Sequence, residues 1–238
     1  MSSSITKPDA NRFNSGNVRA AVLGVNDGLV SNFCLIMGVA GGTSDGDNPD
    51  LIILAGMAAL IAGSLSMATG EYISVRSQRE IYEYQISRER AQLEICPEQE
   101  EEKLILMYKA KGLEEELAQK VVSTIMSNPN RALDTMAGET LSLNPKDLGS
   151  PWKASISSLL AFALGAAVPV IPVLFSTGST SIVISAIFSS ISLFIVGGLV
   201  SIARGKNLLF GAARMLLAGG LAATFTYGVG YLLGISIL

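Results

Sequence analysis

A carboxylate inside an apolar run is the first group in this sequence able to do chemistry. Asp27 lies within Val18-Arg-Ala-Ala-Val-Leu-Gly-Val-Asn-Asp-Gly-Leu-Val-Ser-Asn-Phe-Cys-Leu-Ile-Met-Gly-Val-Ala. At the centre of a membrane helix such a charge costs roughly 2.5–3.5 kcal/mol on insertion scales, so it persists where it faces a cavity, a partner or an ion. A second apolar run contains Met67. Asp27 follows Arg19 by eight residues and Met67 precedes Arg76 by nine. If the two runs cross a bilayer in opposite directions, both side chains sit roughly 12–14 Å from the same boundary at 1.5 Å per residue. Asn26 adjoins Asp27, Asn32 lies over a turn further out, and Glu71 is one turn nearer the boundary than Met67. Carboxylate oxygen with thioether sulfur is a mixed hard and soft set, better suited to Fe²⁺ or Mn²⁺ than to Mg²⁺ or Ca²⁺. Proton and metal competing for one carboxylate is a simple physical route to antiport. Blander readings stand beside this one: Met67 as packing, Glu71 reaching back to the interface, Asp27 as a helix-to-helix hydrogen bond.

The elements that must hold these groups are five apolar spans, at about 19–42, 51–74, 154–175, 181–203 and 208–235. Each is near the ~20 residues needed to cross ~30 Å of hydrocarbon. The 238 residues are 49% hydrophobic, with mean hydropathy +0.45. Charge is segregated into the stretch from Arg76 to Lys153. The pattern predicts an all-α membrane protein. Its parts are a polar N-terminal segment (1–17), two membrane helices (18–75), an inserted cytoplasmic helical domain (76–150) and three further membrane helices (151–238). Histidine is absent, which excludes imidazole ligands and relays. Cys34 and Cys96 make no disulfide framework. The first residues lack an apolar signal core, so no cleaved signal peptide is expected. No basic aromatic patch points to nucleic acid.

Orientation follows from lysine and arginine. With five spans, all 17 basic residues fall on one side or at its membrane edge. That side holds the N-terminus, segment 76–153 and the 204–207 loop. The opposite loop carries Asp45, Asp47 and Asp50 and no positive charge. The positive-inside rule makes the basic side cytoplasmic. Within the insert, Glu80–Glu94 extends the second span and Pro97 starts a helix through Lys111. Gly112 ends it, and helices over 114–127 and 130–141 follow. Gly24 and Gly28, and later Gly230 and Gly234, permit close helix approach. Pro169 and Pro172 are expected to kink the third span. Five helices are few for enclosing a polar path, which favours a homodimer with the path at its interface.

The chain resembles the vacuolar iron transporter family. The resemblance is carried by Asn26-Asp-Gly-Leu-Val-Ser, Ala62-Gly-Ser-Leu-Ser-Met-Ala-Thr-Gly-Glu-Tyr, Ser77-Gln-Arg-Glu, Ala132-Leu-Asp-Thr-Met, Gly149-Ser-Pro-Trp-Lys-Ala and Val168-Pro-Val-Ile-Pro, in that order. The Ser77 and Gly149 stretches are closer to its prokaryotic branch. The resemblance implies a five-span dimer moving Fe²⁺, and often Mn²⁺, out of the cytosol in exchange for protons. The family's pathway aspartate and methionine match Asp27 and Met67. Its cytoplasmic metal-gathering residues match Glu89, Glu100 and Met136. The partners of the two glutamates fall on Gln92 and Lys103, and a further glutamate falls on Thr140, with Glu139 one residue early. Glu139 is three residues from Met136 and shares its helix face. A protonated lysine cannot ligate, so the insert departs from the family pattern there. A second-span glutamate of plant members corresponds to Ala59.

The reading is a proton-coupled secondary transporter, not an enzyme. Its path is Asp27, Met67, Asn26 and Glu71, and its metal ligands are Asp27, Met67, Glu89, Glu100, Met136 and Glu139. No cofactor is resident; the cargo is Fe²⁺ or Mn²⁺, with Co²⁺ and Zn²⁺ as further candidates. The partners are these ions, protons, the bilayer and a second copy, in the cell membrane of a prokaryote or the vacuolar membrane of a eukaryote. The rivals are a cation channel on the same scaffold, and a membrane-anchored metal sensor or interaction protein.

Overall fold

A computed structural model describes residues 16–43, 48–141, 149–176 and 178–237. Most of the polar N-terminal segment, with Lys7 and Arg12, lies outside the described residues, as do Asp45, Asp47 and Lys146. Eight helices account for nearly all of the rest: α1 (Gly16–Gly42), α2 (Pro49–Ile95), α3 (Pro97–Ala110), α4 (Glu115–Met126), α5 (Pro129–Leu141), α6 (Pro151–Phe175), α7 (Ser179–Ala203) and α8 (Leu208–Ile237). Five of them, α1, α2, α6, α7 and α8, are long and apolar enough to cross a membrane. Proline opens α2, α3, α5 and α6, where its missing N–H lacks an intrahelical partner anyway. Gly112, at φ +95°, follows α3 in the left-handed conformation that suits glycine.

The chain divides into two compact units. One comprises residues up to Tyr72 and from Pro151 onward; the other is Ile73–Ser150. In the first, α1 is the central helix, packed against α6 and α8. Backbone approach between α1 and α6 is close enough that glycine is required. A Cβ at Gly28 would collide with the Phe162 carbonyl oxygen and lie 3.0 Å from Ala166 N. One at Gly165 would meet the Val25 carbonyl and Leu29 N. On the other flank, Gly230 of α8 sits against the Gly38 carbonyl. Leu29, Phe33 and Ile36 fill the space between these contacts. Lipid offers no hydrophobic drive for helices to associate, so dense packing of this kind, aided by hydrogen bonds, must hold the bundle.

Asn32 ties three helices together. Its side-chain nitrogen donates to the Ala166 carbonyl of α6 at 2.7 Å and the Gly56 carbonyl of α2 at 3.3 Å. The residue is 2% exposed. Further along α2, Ser155 Oγ of α6 donates to the Ala68 carbonyl. Both contacts of Asn32 need a donor, and a carboxylate can only accept. Asn32→Ala is therefore expected to cost about 1–2 kcal/mol and Asn32→Asp about 3 kcal/mol or more. Thermal melting of the detergent-purified protein reads both, and an aspartate variant as stable as the parent would contradict the assignment. Pro169 and Pro172 lie inside a continuous α6, both buried. The Ser185 hydroxyl of α7 donates to the Pro169 carbonyl.

The second unit contains the end of α2 with α3, α4 and α5. Its core is Leu104, Val122 and Met136, flanked by Leu93, Ile105, Tyr108 and Ile125. Along α2, Arg76–Glu80 and Arg79–Glu83 pair across single turns. The Arg79 hydrogen bond holds the Glu83 carboxyl below the usual carboxylate range. Cys34 and Cys96 are free thiols.

Candidate functional site

Near one end of each span, α1 and α2 are linked by an ion pair. Arg19 Nη2 lies 3.8 Å from Glu71 Oε1. Asp27 is two turns along α1 from that pair, and Met67 and Gly63 are one and two turns along α2, so Asp27 is level with Gly63 and Met67 is one turn away. Both line one cleft of about 370 Å³. Its other walls are Ser31 and Leu35 of α1, Ala59, Gly63 and Ser66 of α2, and Phe162 of α6. No basic side chain is among them.

Local helical geometry accounts for the lining. Asp27, Ser31 and Leu35 are spaced four apart and share one face of α1. Ala59, Gly63 and Met67 repeat that spacing on α2. Ser31 Oγ donates to the Asp27 carbonyl, which holds its hydroxyl back along α1. The ring of Phe162 lies over Gly63, where a Cβ would strike its tip, so it forms the floor of the cleft. Asp27 and Ser31 are exposed in the single chain, whereas Met67 is half-buried. The cleft thus offers a carboxylate, a thioether and two hydroxyls, with small residues leaving room between them. Together these form a mixed hard and soft donor set.

The sequence-predicted path residues separate into two groups. Asp27 and Met67 come together. Asn26 is half-buried beside Asp27 but outside the cleft lining. Glu71 is also outside it, its side chain 12% exposed and its Oε1 buried without a hydrogen bond, facing the mostly exposed Arg19. Ser31, Ser66 and Phe162 were not singled out from sequence. The four-residue spacing from Asp27 was a usable signal for Ser31, and adjacency to Met67 was one for Ser66. Nothing in the sequence pointed to Phe162.

In the second unit, Glu89 of α2 and Glu100 of α3 converge, and each residue is 7% exposed. Lys103 Nζ donates to Glu100 Oε2 at 3.0 Å and lies 3.9 Å from Glu89 Oε2. The Thr140 hydroxyl has a single hydrogen for two acceptors, Glu89 Oε1 at 3.2 Å and the Met136 carbonyl. Met136 itself is fully buried against Leu104 and Val122. Glu139 pairs with Lys111. Among the described residues, no group of three or more Cys, Asp or Glu side chains is arranged to hold a metal ion.

Similarity to known proteins agrees with this architecture. A match to the VIT family covers residues 18–231. A protein of Acanthamoeba castellanii called vacuolar iron transporter is 34% identical over 223 residues, 92% of this chain and 79% of its own length. Vacuolar iron transporter 1 of Oryza sativa subsp. japonica is 28% identical over 219 residues, 91% of this chain and 86% of its own. Vacuolar iron transporter 1 of Arabidopsis thaliana is 27% identical over 211 residues, 88% and 83% of the two chains. With that match running from the start of α1 almost to the end of α8, through both walls of the cleft, the chain belongs to the VIT family.

Proposed function

We propose that this chain is a secondary transporter that exports Fe²⁺, and Mn²⁺ by the same route, from the cytosol in exchange for protons moving inward. The cleft carries this reading: a carboxylate and a thioether face one space between two membrane-length helices, with no cation on its walls. The names of the relatives support iron as cargo. Asp27 takes the metal ion in one direction and a proton in the other, since either neutralises the charge of a carboxylate on a membrane-length helix. Met67 supplies a soft ligand that favours transition metals over Ca²⁺ and Mg²⁺. No covalent bond of a substrate is made or broken.

The working form is a homodimer. Asp27 is exposed in the single chain, and facing lipid there would be costly. On α2, Ala58, Ala62, Ser66 and Gly70 recur every four residues and are all exposed. This is the spacing that lets helices approach closely. A second copy seated on these faces of α1 and α2 closes the cleft into a path. The distribution of basic residues supports a cytosolic location for the inserted unit. The membrane is the cell membrane in a prokaryote and the vacuolar membrane in a eukaryote.

Ion uptake into liposomes containing the purified protein tests the proposal. Fe²⁺ and Mn²⁺ are expected to enter only with a pH gradient of the right sign, with counter-movement of protons, while Ca²⁺ stays out. Flux indifferent to the gradient would identify a channel, and no flux of any ion would leave a sensor or interaction protein. Met67→Leu keeps the bulk and removes the sulfur. It is expected to lower Fe²⁺ flux about tenfold, equivalent to ~1.4 kcal/mol, and to narrow the preference over Ca²⁺. Unchanged selectivity would exclude Met67 as a ligand.

A further inference from the structure

The Glu89–Lys103–Glu100 cluster is independent of the membrane cleft and has its own chemistry. Buried glutamates require a compensating partner. Here two of them, from different helices, share one ammonium. Lys103 is three residues from Glu100 on α3, so one helix face presents both. The lysine side chain is 40% exposed, whereas the two carboxylates are about nine-tenths covered. Glu89 Oε2 is buried and accepts no hydrogen bond, yet Lys103 Nζ is 3.9 Å from it. The cation is thus positioned between the carboxylates, bonded firmly to one and coulombically to the other.

Four carboxylate oxygens from two helices form a hard-donor set that would suit a divalent ion. An ammonium in their midst has no lone pair to donate, and its charge opposes a second cation. We infer that Lys103 is a tethered cation occupying the position a divalent ion would otherwise take, so that this unit folds and stays folded without bound metal. An external ion must expel a group whose tether keeps it at high local concentration. Met136 and Thr140 fit the same account. The thioether is enclosed in the hydrophobic core, and the Thr140 hydroxyl lies against the other oxygen of Glu89. The ligand role that family resemblance implies for Glu89 and Glu100 is replaced in this chain by a structural ion pair.

The test counts Mn²⁺ bound to the full chain in detergent micelles, by equilibrium dialysis and by electron paramagnetic resonance of the bound ion. All proteins carry Asp27→Asn, so the count does not depend on the transport assignment. Adding E89Q and E100Q is expected to leave the number of bound Mn²⁺ unchanged. Adding K103Q instead is expected to create one further Mn²⁺ site per chain, with a melting temperature that rises with Mn²⁺. E89Q and E100Q should then abolish that site. The inference is overturned by an Mn²⁺ site in the Lys103-bearing protein that E89Q and E100Q remove. It is also overturned by a K103Q protein that melts cooperatively but binds no additional ion. The first comparison needs no change at Lys103, so it can overturn the inference even if K103Q does not fold.

Discussion

Asp27→Ala is expected to reduce Fe²⁺ and Mn²⁺ flux to the level of protein-free liposomes while leaving the protein folded. Among the described residues, Asp27 is the only acidic one on the cleft walls. A divalent ion that sheds part of its water there has one formal negative charge to compensate it. Removing one partner of a desolvated charge pair costs about 3–5 kcal/mol. At 1.4 kcal/mol per decade, that is a loss of roughly a hundredfold or more. Stability should barely change. The Asp27 side chain is on the open stripe of α1, outside its packed flanks, and alanine favours a helix more than aspartate does. Asp27→Asn separates charge from shape: it keeps the size and a carbonyl oxygen, and should fail as fully as alanine. Parent-like flux in both variants, with normal melting, would end the assignment of this cleft as the path.

The second large effect falls on the fold. Gly28→Val is expected to prevent α1 and α6 from packing. The atoms a side chain would strike are the Phe162 carbonyl and the Ala166 amide nitrogen. These belong to a helix backbone and cannot rotate away. On its other flank α1 is held by the Gly230 contact with Gly38, so it has nowhere to retreat. Overpacking costs about 1–3 kcal/mol per site where side chains can adjust, and more where only backbone can move. Separation would also break the Asn32 bond to Ala166. At 2–4 °C per kcal/mol for a chain of this size, melting should fall by about 10 °C or the protein should be lost on extraction. Gly220→Ala is the control, because nothing lies within 4 Å of a Cβ there. It should be neutral or slightly stabilising. Equal damage from both substitutions would show that glycine content, and not the α1–α6 contact, is what matters.

The spans were legible because a bilayer writes its thickness into the chain as runs of apolar residues. Helix ends were legible where Pro97 or Gly112 supplies local punctuation. Counting residues from Arg19 and Arg76 placed Asp27 and Met67 at one level, since helical rise is constant. Facing was harder to read. A helix apolar on every side has no periodic signal to say which stripe meets protein. Depth alone set Asn32 over a turn beyond Asp27, whereas its side chain is outside the cleft lining and binds two carbonyls. Phe162 was invisible for the same reason. In the inserted unit, the chance that Glu139 and Met136 would act together rested on their spacing of three. Tertiary packing separated them, taking the thioether into the core and the carboxylate to Lys111. Lys103 stood out in the sequence as a foreign charge, but only the fold shows that it has two carboxylates to itself.

The glycine contacts on both flanks of α1 also bear on how such a protein can change over generations. From Arg19 to Gly42, the exposed residues of α1 are Arg19, Val22, Leu23, Asp27 and Ser31. At Gly24, Gly28 and Gly41 of that helix a larger side chain meets backbone atoms of its neighbours. Adaptation toward a different ion therefore has a short alphabet to work with: those few sites, and the residues of α2 that look across at them. Diversity among descendants should gather on that narrow strip while the remainder of the helix stays nearly frozen.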